Sequence, residues 1–217
     1  MRLINNVTLV AVCNNGFYRE ITAKKMEDIT SKFKFEEVLY FTDFKLNKIY
    51  NNVINVVIPF SFQDKSTSYF KLAELPTYIK TTHYLIMDHN IYPNNPDGWS
   101  DEFLKYHFVG QRWKHHPENY IPPHKMCGPK TDVGAGPMSL QSRLLGLAVS
   151  SIYKESLKQP NFVPELWEPD NYYVGRDLRG ILEQKGFTFS PKEVADKFLY
   201  QDTTSLGDRY YGLYTNI

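Results

Sequence analysis

Three short segments carry side chains whose types and spacing suit chemistry on a polar ligand. In the first, the apolar run His83-Tyr84-Leu85-Ile86-Met87 stops abruptly on Asp88-His89-Asn90. Asp88 and Asn90 stand two residues apart and offer a carboxylate and an amide oxygen. These are the hard donors that Mg²⁺ or Mn²⁺ accepts while completing its shell with water and phosphate. A cation held there would neutralise charge building on a departing phosphate. Asx side chains also bond their own downstream backbone, so a turn is the competing reading, and it is the one preferred for Asp97-Gly98 a little further on.

The second segment is Asp132-Val133-Gly134-Ala135-Gly136-Pro137-Met138-Ser139. Glycines at 134 and 136 let backbone approach a ligand, and the Ser139 hydroxyl can donate a hydrogen bond. It is not a dinucleotide fingerprint, because no third glycine is in place and no clear strand leads into it. The third is Glu165-Leu166-Trp167-Glu168-Pro169-Asp170-Asn171, ahead of a helical stretch. Asp170 suits an N-cap, or a carboxylate that takes a proton from an attacking hydroxyl. His115-His116, with Trp113 before and His124 after, has no standard zinc spacing, and Cys127 is a lone thiol nearby. That group reads as a surface or substrate-facing cluster.

The elements that must position these residues follow from patterning. Residues 7–12 form a nearly continuous β-rich run, as in a strand buried on both faces. Asn14-Asn15-Gly16 is a turn, and residues 18–33 read as an amphipathic helix. Residues 37–42, 53–58 and 83–87 read as further strands. Residues 67–80 look helical but carry Pro76, which should kink or divide the helix. Residues 90–136 are rich in Pro, Gly, His and Trp, with only 102–109 regular, and so long a loop region is more often functional than idle. Residues 138–153 read as a strand running into a helix. Residues 171–185 read as a helix closed by Gly186, 187–190 as a last short strand, and 191–199 as a helix. This alternation predicts an α/β fold with a mostly parallel sheet and covering helices. In such sheets ligands sit at the carboxyl ends of strands, which is where Asp88 falls.

With 217 residues the chain suits one α/β domain. Its 25 Lys and Arg against 24 Asp and Glu give a net charge of +1, which supplies no global drive toward DNA or a membrane. Two cysteines are too few for a disulfide framework and point to a reducing compartment. There is no signal-peptide pattern and no run of 18 apolar residues, so the expectation is a cytoplasmic protein without a membrane span.

Taken in order, the motifs resemble those of a GT-A-like glycosyltransferase family of bacteria and viruses. The resemblance lies in Asn6-Val7-Thr8-Leu9-Val10-Ala11-Val12, Asn95-Pro96-Asp97-Gly98-Trp99-Ser100-Asp101-Glu102-Phe103-Leu104 and Phe108-Val109-Gly110. It continues in Gly134-Ala135-Gly136-Pro137-Met138-Ser139-Leu140 and in Gly186-Phe187 leading to Pro191-Lys192-Glu193-Val194-Ala195. The chain departs from the family pattern at four places. Asp88-His89-Asn90 replaces a Gln-Trp-Asp-like triplet, so the acid moves by two positions. Ala135 and Pro137 interrupt a glycine run, Asp170-Asn171 keeps one carboxylate of a pair, and Tyr214 falls near a late histidine.

The resemblance implies a single GT-A-like (Rossmann-like) domain over residues 1–217 that moves a sugar from a nucleotide-sugar donor to an acceptor hydroxyl. It implies a donor site at Val12, Asp88, Asn90, Gly134, Ala135, Gly136 and Ser139, with a divalent cation, Mn²⁺ or Mg²⁺, on Asp88 and Asn90. Asp170 is the catalytic candidate, and Trp113, His115, His116 and Asp170 line the acceptor side. The acceptor is left open among a glycan, a small molecule and modified DNA. Two alternatives stand beside this: a nucleotide- or sugar-binding protein of the same fold that has lost catalysis, and a viral enzyme that glycosylates modified bases in DNA.

Overall fold

Strand β1 (Arg2–Cys13) is the axis of the molecule, and its side chains alternate between two apolar layers. Val7, Leu9, Ala11 and Cys13 pack on one face and Val10 on the other, as a period of two requires. Val7, Leu9, Val10 and Ala11 are at most 1% exposed. Full burial of such side chains is worth about 1.5–3 kcal/mol each for the larger ones, which explains why the run is nearly continuously apolar rather than alternating. The computed structural model describes residues 1–58, 67–89, 93, 95–112, 133–159, 173–202 and 209–212, with the backbone alone at 135–137, 199–202 and 209–212.

After β1 the chain turns at Asn15, whose side chain accepts from the Phe17 N–H at 2.9 Å and caps α1 (Gly16–Thr30). Thr22, Ala23, Met26 and Ile29 form the buried stripe of this helix. The helix stops three residues short of the expected end because Phe33 already belongs to β2 (Phe33–Thr42). Strand β3 (Ile54–Val57) follows.

The stretch expected to break at Pro76 is divided into α2 (Thr67–Tyr69), a π turn (Phe70–Glu74) and α3 (Leu75–Tyr78). The Leu75 N–H reaches back five residues to the Phe70 carbonyl, so the ladder widens just before the proline that has no N–H to donate. The Ser150 hydroxyl donates to the Ala73 carbonyl at 2.6 Å and satisfies an acceptor in that turn.

Strand β4 (His83–Met87) is buried at every position. A 3₁₀ turn (Pro96–Gly98) and a 3₁₀ helix (Asp101–Lys105) lead to β5 (Phe108–Arg112). Strand β6 (Val133–Ser142) runs directly into α4 (Arg143–Ser156), capped by the Ser142 hydroxyl on the Leu145 N–H.

The described part of the helix expected over 171–185 is a π turn (Tyr173–Asp177) followed by α5 (Arg179–Gln184). Gly186 closes it at φ +87°, the left-handed cap expected of that glycine. The short strand expected at 187–190 reduces to one bridge, Phe189 beside Phe108. Then come α6 (Lys192–Phe198) and an unanticipated two-stranded ribbon of β7 (Leu199–Asp202) and β8 (Arg209–Gly212).

The main sheet has six strands in the order β3-β2-β1-β4-β6-β5. The first four are parallel, β6 runs against β4, and β5 runs against β6. This is the mostly parallel sheet with covering helices that the patterning predicts.

Candidate functional site at the carboxyl edge of the sheet

From β1 the chain steps outward through β2 to β3, then returns to place β4 on the other side of β1. The order therefore reverses between β1 and β4, and the crevice outside their carboxyl ends is where open α/β sheets bind ligands. The side chains after β4 divide according to strand alternation. Leu85 and Met87 face the α1 layer, and Tyr84 and Ile86 face the layer of the π turn. Asp88 continues the second series and meets Lys71 of the π turn, with Nζ to Oδ1 at 3.0 Å. His89 continues the first and meets α1: its ring stacks on Tyr18 at 4.1 Å, and its carbonyl accepts from Lys25 Nζ at 2.8 Å.

Exposure differs sharply within the Lys71–Asp88 pair: the Lys71 side chain is 9% exposed and that of Asp88 41%. The lysine thus braces the carboxylate from behind, and Oδ2 has no partner among the described residues. Burial also holds the Lys25 ammonium below its ordinary pKa. Along the same edge, Asp43 just past β2 takes Arg19 of α1 at 2.8 Å, and the Phe44 ring lies 4.9 Å from the guanidinium carbon. The Arg19 Nε is buried without a hydrogen-bond partner. The edge is therefore lined by cationic groups whose charges are partly compensated, an arrangement suited to a ligand that carries negative charge and hydroxyls together.

Val12, the penultimate residue of β1, borders the crevice, and Asp88 opens onto it. Gly134 lies at the start of β6, which reaches this edge because it is antiparallel to β4, with Met138 opposite Met87. The room at Gly134 is filled by protein: a Cβ added there would stand 2.9 Å from both the Cα and the carbonyl oxygen of Gly175, and φ is +153°. Its glycine is required by this backbone-to-backbone approach, which sequence reading assigned to a ligand. Ala135 and Gly136 lie in β6, where only backbone is described. Ser139 is 3% exposed and accepts from Gln141 Nε2 at 3.1 Å, while Gln141 Oε1 accepts from the Tyr84 hydroxyl at 3.1 Å. Its hydroxyl belongs to a buried chain that ties β6 to β4. Asn90, Trp113, His115, His116 and Asp170 lie outside the described residues, as do Asp132 and the 165–171 segment.

The Asn95 to Leu104 motif is structural. Asn95 caps the 3₁₀ turn by accepting from the Asp97 N–H at 3.2 Å, which bears out the turn reading of Asp97-Gly98. Trp99 is 4% exposed, donates to Asp101 at 2.9 Å and packs edge-on to Phe103, which packs on Phe198 of α6.

Among the described residues no group of three or more His, Cys, Asp or Glu is placed to hold a metal ion. Asp88 is the single described member of the expected cation pair, and one of its oxygens already faces an ammonium. Among the described residues this donor set does not amount to a cation site. Sequence reading missed Lys71, Lys25, Arg19 and Asp43. Asp43 had a usable signal, since it directly follows an expected strand as Asp88 does.

No protein-family model matches this sequence and no curated protein matches it. Solved structures similar to it include an active-site mutant of LgtC, with TM-score 0.53 and 12% identity over 78% of this chain and 70% of that one. The glycosyltransferase GlyE from Streptococcus pneumoniae TIGR4 aligns at TM-score 0.47 and 12% identity, over 88% of this chain and 45% of that one, so the chain spans about half the length of GlyE. A glycosyltransferase involved in glycosylation of the major capsid of PBCV-1 aligns at TM-score 0.41 and 11% identity, over 77% of this chain and 73% of that one. The likeness that carries weight is the one to LgtC, and at such identity it is a likeness of fold. The chain folds as a single GT-A-like (Rossmann-like) α/β domain with a mostly parallel sheet covered by helices.

Proposed function

We propose that this chain is a glycosyltransferase that moves a sugar from a nucleotide-sugar donor to an acceptor hydroxyl, with residues 1–217 as its one GT-A-like domain. The observation that carries the reading is Asp88. It stands at the carboxyl end of β4, beside the point where strand order reverses, braced on one oxygen and open on the other. In this reading the donor lies in the crevice between β1 and β4, bordered by Val12. Oδ2 of Asp88 accepts a hydrogen bond from a ribose or sugar hydroxyl, the recognition that an acidic residue at a sheet edge gives a nucleotide.

The divalent cation expected on Asp88 and Asn90 belongs to the proposal only as an arm of the binding test. Gly134 and Ser139 frame the pocket through backbone packing and the buried hydroxyl chain. Asp170 takes the proton from the acceptor hydroxyl, and Trp113, His115 and His116 contact the acceptor. The setting is cytoplasmic, and among the described residues no helix is long and apolar enough to cross a membrane.

The test is nucleotide release from a panel of nucleotide sugars, with glycan, small-molecule and modified-DNA acceptors offered in turn. Release that depends on one donor and falls sharply in Asp170→Asn supports the reading. Donor binding without release from any pairing supports instead a binding protein on this fold.

A further inference from the structure

At the opposite end of β4 from Asp88 lies a cavity of about 320 Å³. His83 opens the strand on the cavity side and Asp88 follows its far end, so five residues at about 3.3 Å each separate the two places by roughly 16 Å. The cavity is lined by the cations Lys80, Lys105 and Arg143, by His83 and His107, and by Thr82, with no carboxylate among its lining residues. None of the three cations has an ion pair among the described residues.

Arg143 supplies a second observation. It is half-buried at the first turn of α4, its backbone N–H is used by the Thr82 carbonyl at 2.8 Å, and its Nε is buried without any hydrogen-bond partner. A guanidinium nitrogen that has left water without a replacement acceptor is costly, and an anion that draws the guanidinium into the cavity would supply that acceptor. One of the two histidines is oriented as well. His107 Nδ1 accepts from the Thr188 N–H at 3.1 Å, so a neutral ring carries its proton on Nε2. The positive end of α4 adds to the same field.

We propose that this cavity is a binding site for a small organic phosphate, distinct from the donor crevice. Three cations suit a dianion better than a carboxylate, and the guanidinium fork matches phosphate oxygens in pairs. A volume near the lower end of the ligand-pocket range, about 300–1,000 Å³, suits a phosphoryl group with a short carbon skeleton. The wall supplied by Leu104 and Tyr106 gives that skeleton an apolar surface. The phosphate could be carried by a free metabolite or by a lipid headgroup, since Leu144 at the cavity wall is 66% exposed. The site does not depend on the sugar-transfer reading.

The test is calorimetric titration of the whole chain with glycerol 3-phosphate, alongside co-sedimentation with phosphatidic acid vesicles and with phosphatidylcholine vesicles. Saturable binding of glycerol 3-phosphate is expected, weakened roughly tenfold or more in Lys80→Gln/Lys105→Gln, whose two changes lie on the exposed rim and leave the core intact. Arg143→Gln should abolish it, with circular dichroism confirming the fold. If phosphatidic acid vesicles bind and soluble phosphate does not, the headgroup is the source. Binding to neither, or binding unchanged in the double variant, overturns the proposal.

Discussion

Replacing Gly134 by alanine tests how the glycine segment frames the crevice. The new Cβ would meet the Gly175 Cα and carbonyl oxygen, each at 2.9 Å, and its carbonyl carbon at 3.0 Å. These are backbone atoms, so no flexible side chain can swing away. The φ of +153° adds a conformation that L-residues rarely adopt. Backbone strain of this kind costs about 1–3 kcal/mol and overpacking another ~1–3 kcal/mol, for a total of roughly 2–6 kcal/mol.

Gly186 supplies an internal control: it has φ +87° and nothing within 4 Å of an added Cβ. Alanine there should cost only the conformational part, about 1–2 kcal/mol. Urea unfolding of the two variants separates crowding from φ, and each kcal/mol also lowers Tm by roughly 2–4 °C in a chain of this size. The mirror variant Gly175→Ala should resemble Gly134→Ala, because its Cβ would strike the Gly134 backbone. If Gly134→Ala costs no more than Gly186→Ala, β6 does not pack against the Tyr173–Asp177 turn as described. Gly134 would then be free to serve a ligand.

Four further outcomes are expected. Gly146→Ala should lose about 1–3 kcal/mol in chemical unfolding, because its Cβ would collide with the Tyr84 hydroxyl and stand 2.9 Å from Pro76 Cγ. Asp88→Ala should destabilise by about 1.5–3 kcal/mol, since it takes a charge-assisted partner from an ammonium only 9% exposed. Lys71→Met should cost less than about 1 kcal/mol through lost charge pairing, since the carboxylate left behind is 41% exposed and returns to water. His83 is held below its ordinary pKa of 6.5 mainly by burial, so the folded state resists protonation. Its contribution to stability is complete above pH 6.5 and declines as the pH falls from there through the folded pKa. His83→Gln should flatten that part of a Tm-against-pH curve.

Much of the scaffold was legible because hydrophobic period reports burial directly. The nearly continuous run 7–12 is a central strand covered on both faces, and 83–87 is the strand beside it. Periodicity carries no direction, however, so the antiparallel run of β6, which brings Gly134 rather than Ser142 to the site edge, could not be read. Lys71 was invisible for a related reason. In a regular helix it is one more solvated lysine, and only the π turn ahead of Pro76 accompanies its burial beside Asp88. The partnership of Gly134 with Gly175 joins segments far apart in sequence, and a glycine needed by another backbone looks the same in text as one needed by a ligand. Asp88 was legible because an apolar run that stops on polar residues marks a strand end, and open α/β sheets bind ligands at the carboxyl ends of their strands.

The most direct test of sugar-nucleotide recognition at the β1–β4 crevice is a thermal-shift screen of nucleotide diphosphates and nucleotide sugars, each with Mn²⁺ and with chelator. A ligand that binds only the folded state raises Tm by mass action. A rise is expected with one nucleotide sugar, lost in Asp88→Ala when each protein is compared with its own ligand-free Tm. A rise confined to the Mn²⁺ arm would assign the second Asp88 oxygen to a cation, and a rise retained in chelator would assign it to a donor hydroxyl. No rise with any nucleotide or nucleotide sugar in either arm, or a rise that survives Asp88→Ala unchanged, would rule out sugar-nucleotide recognition by Asp88 at this crevice.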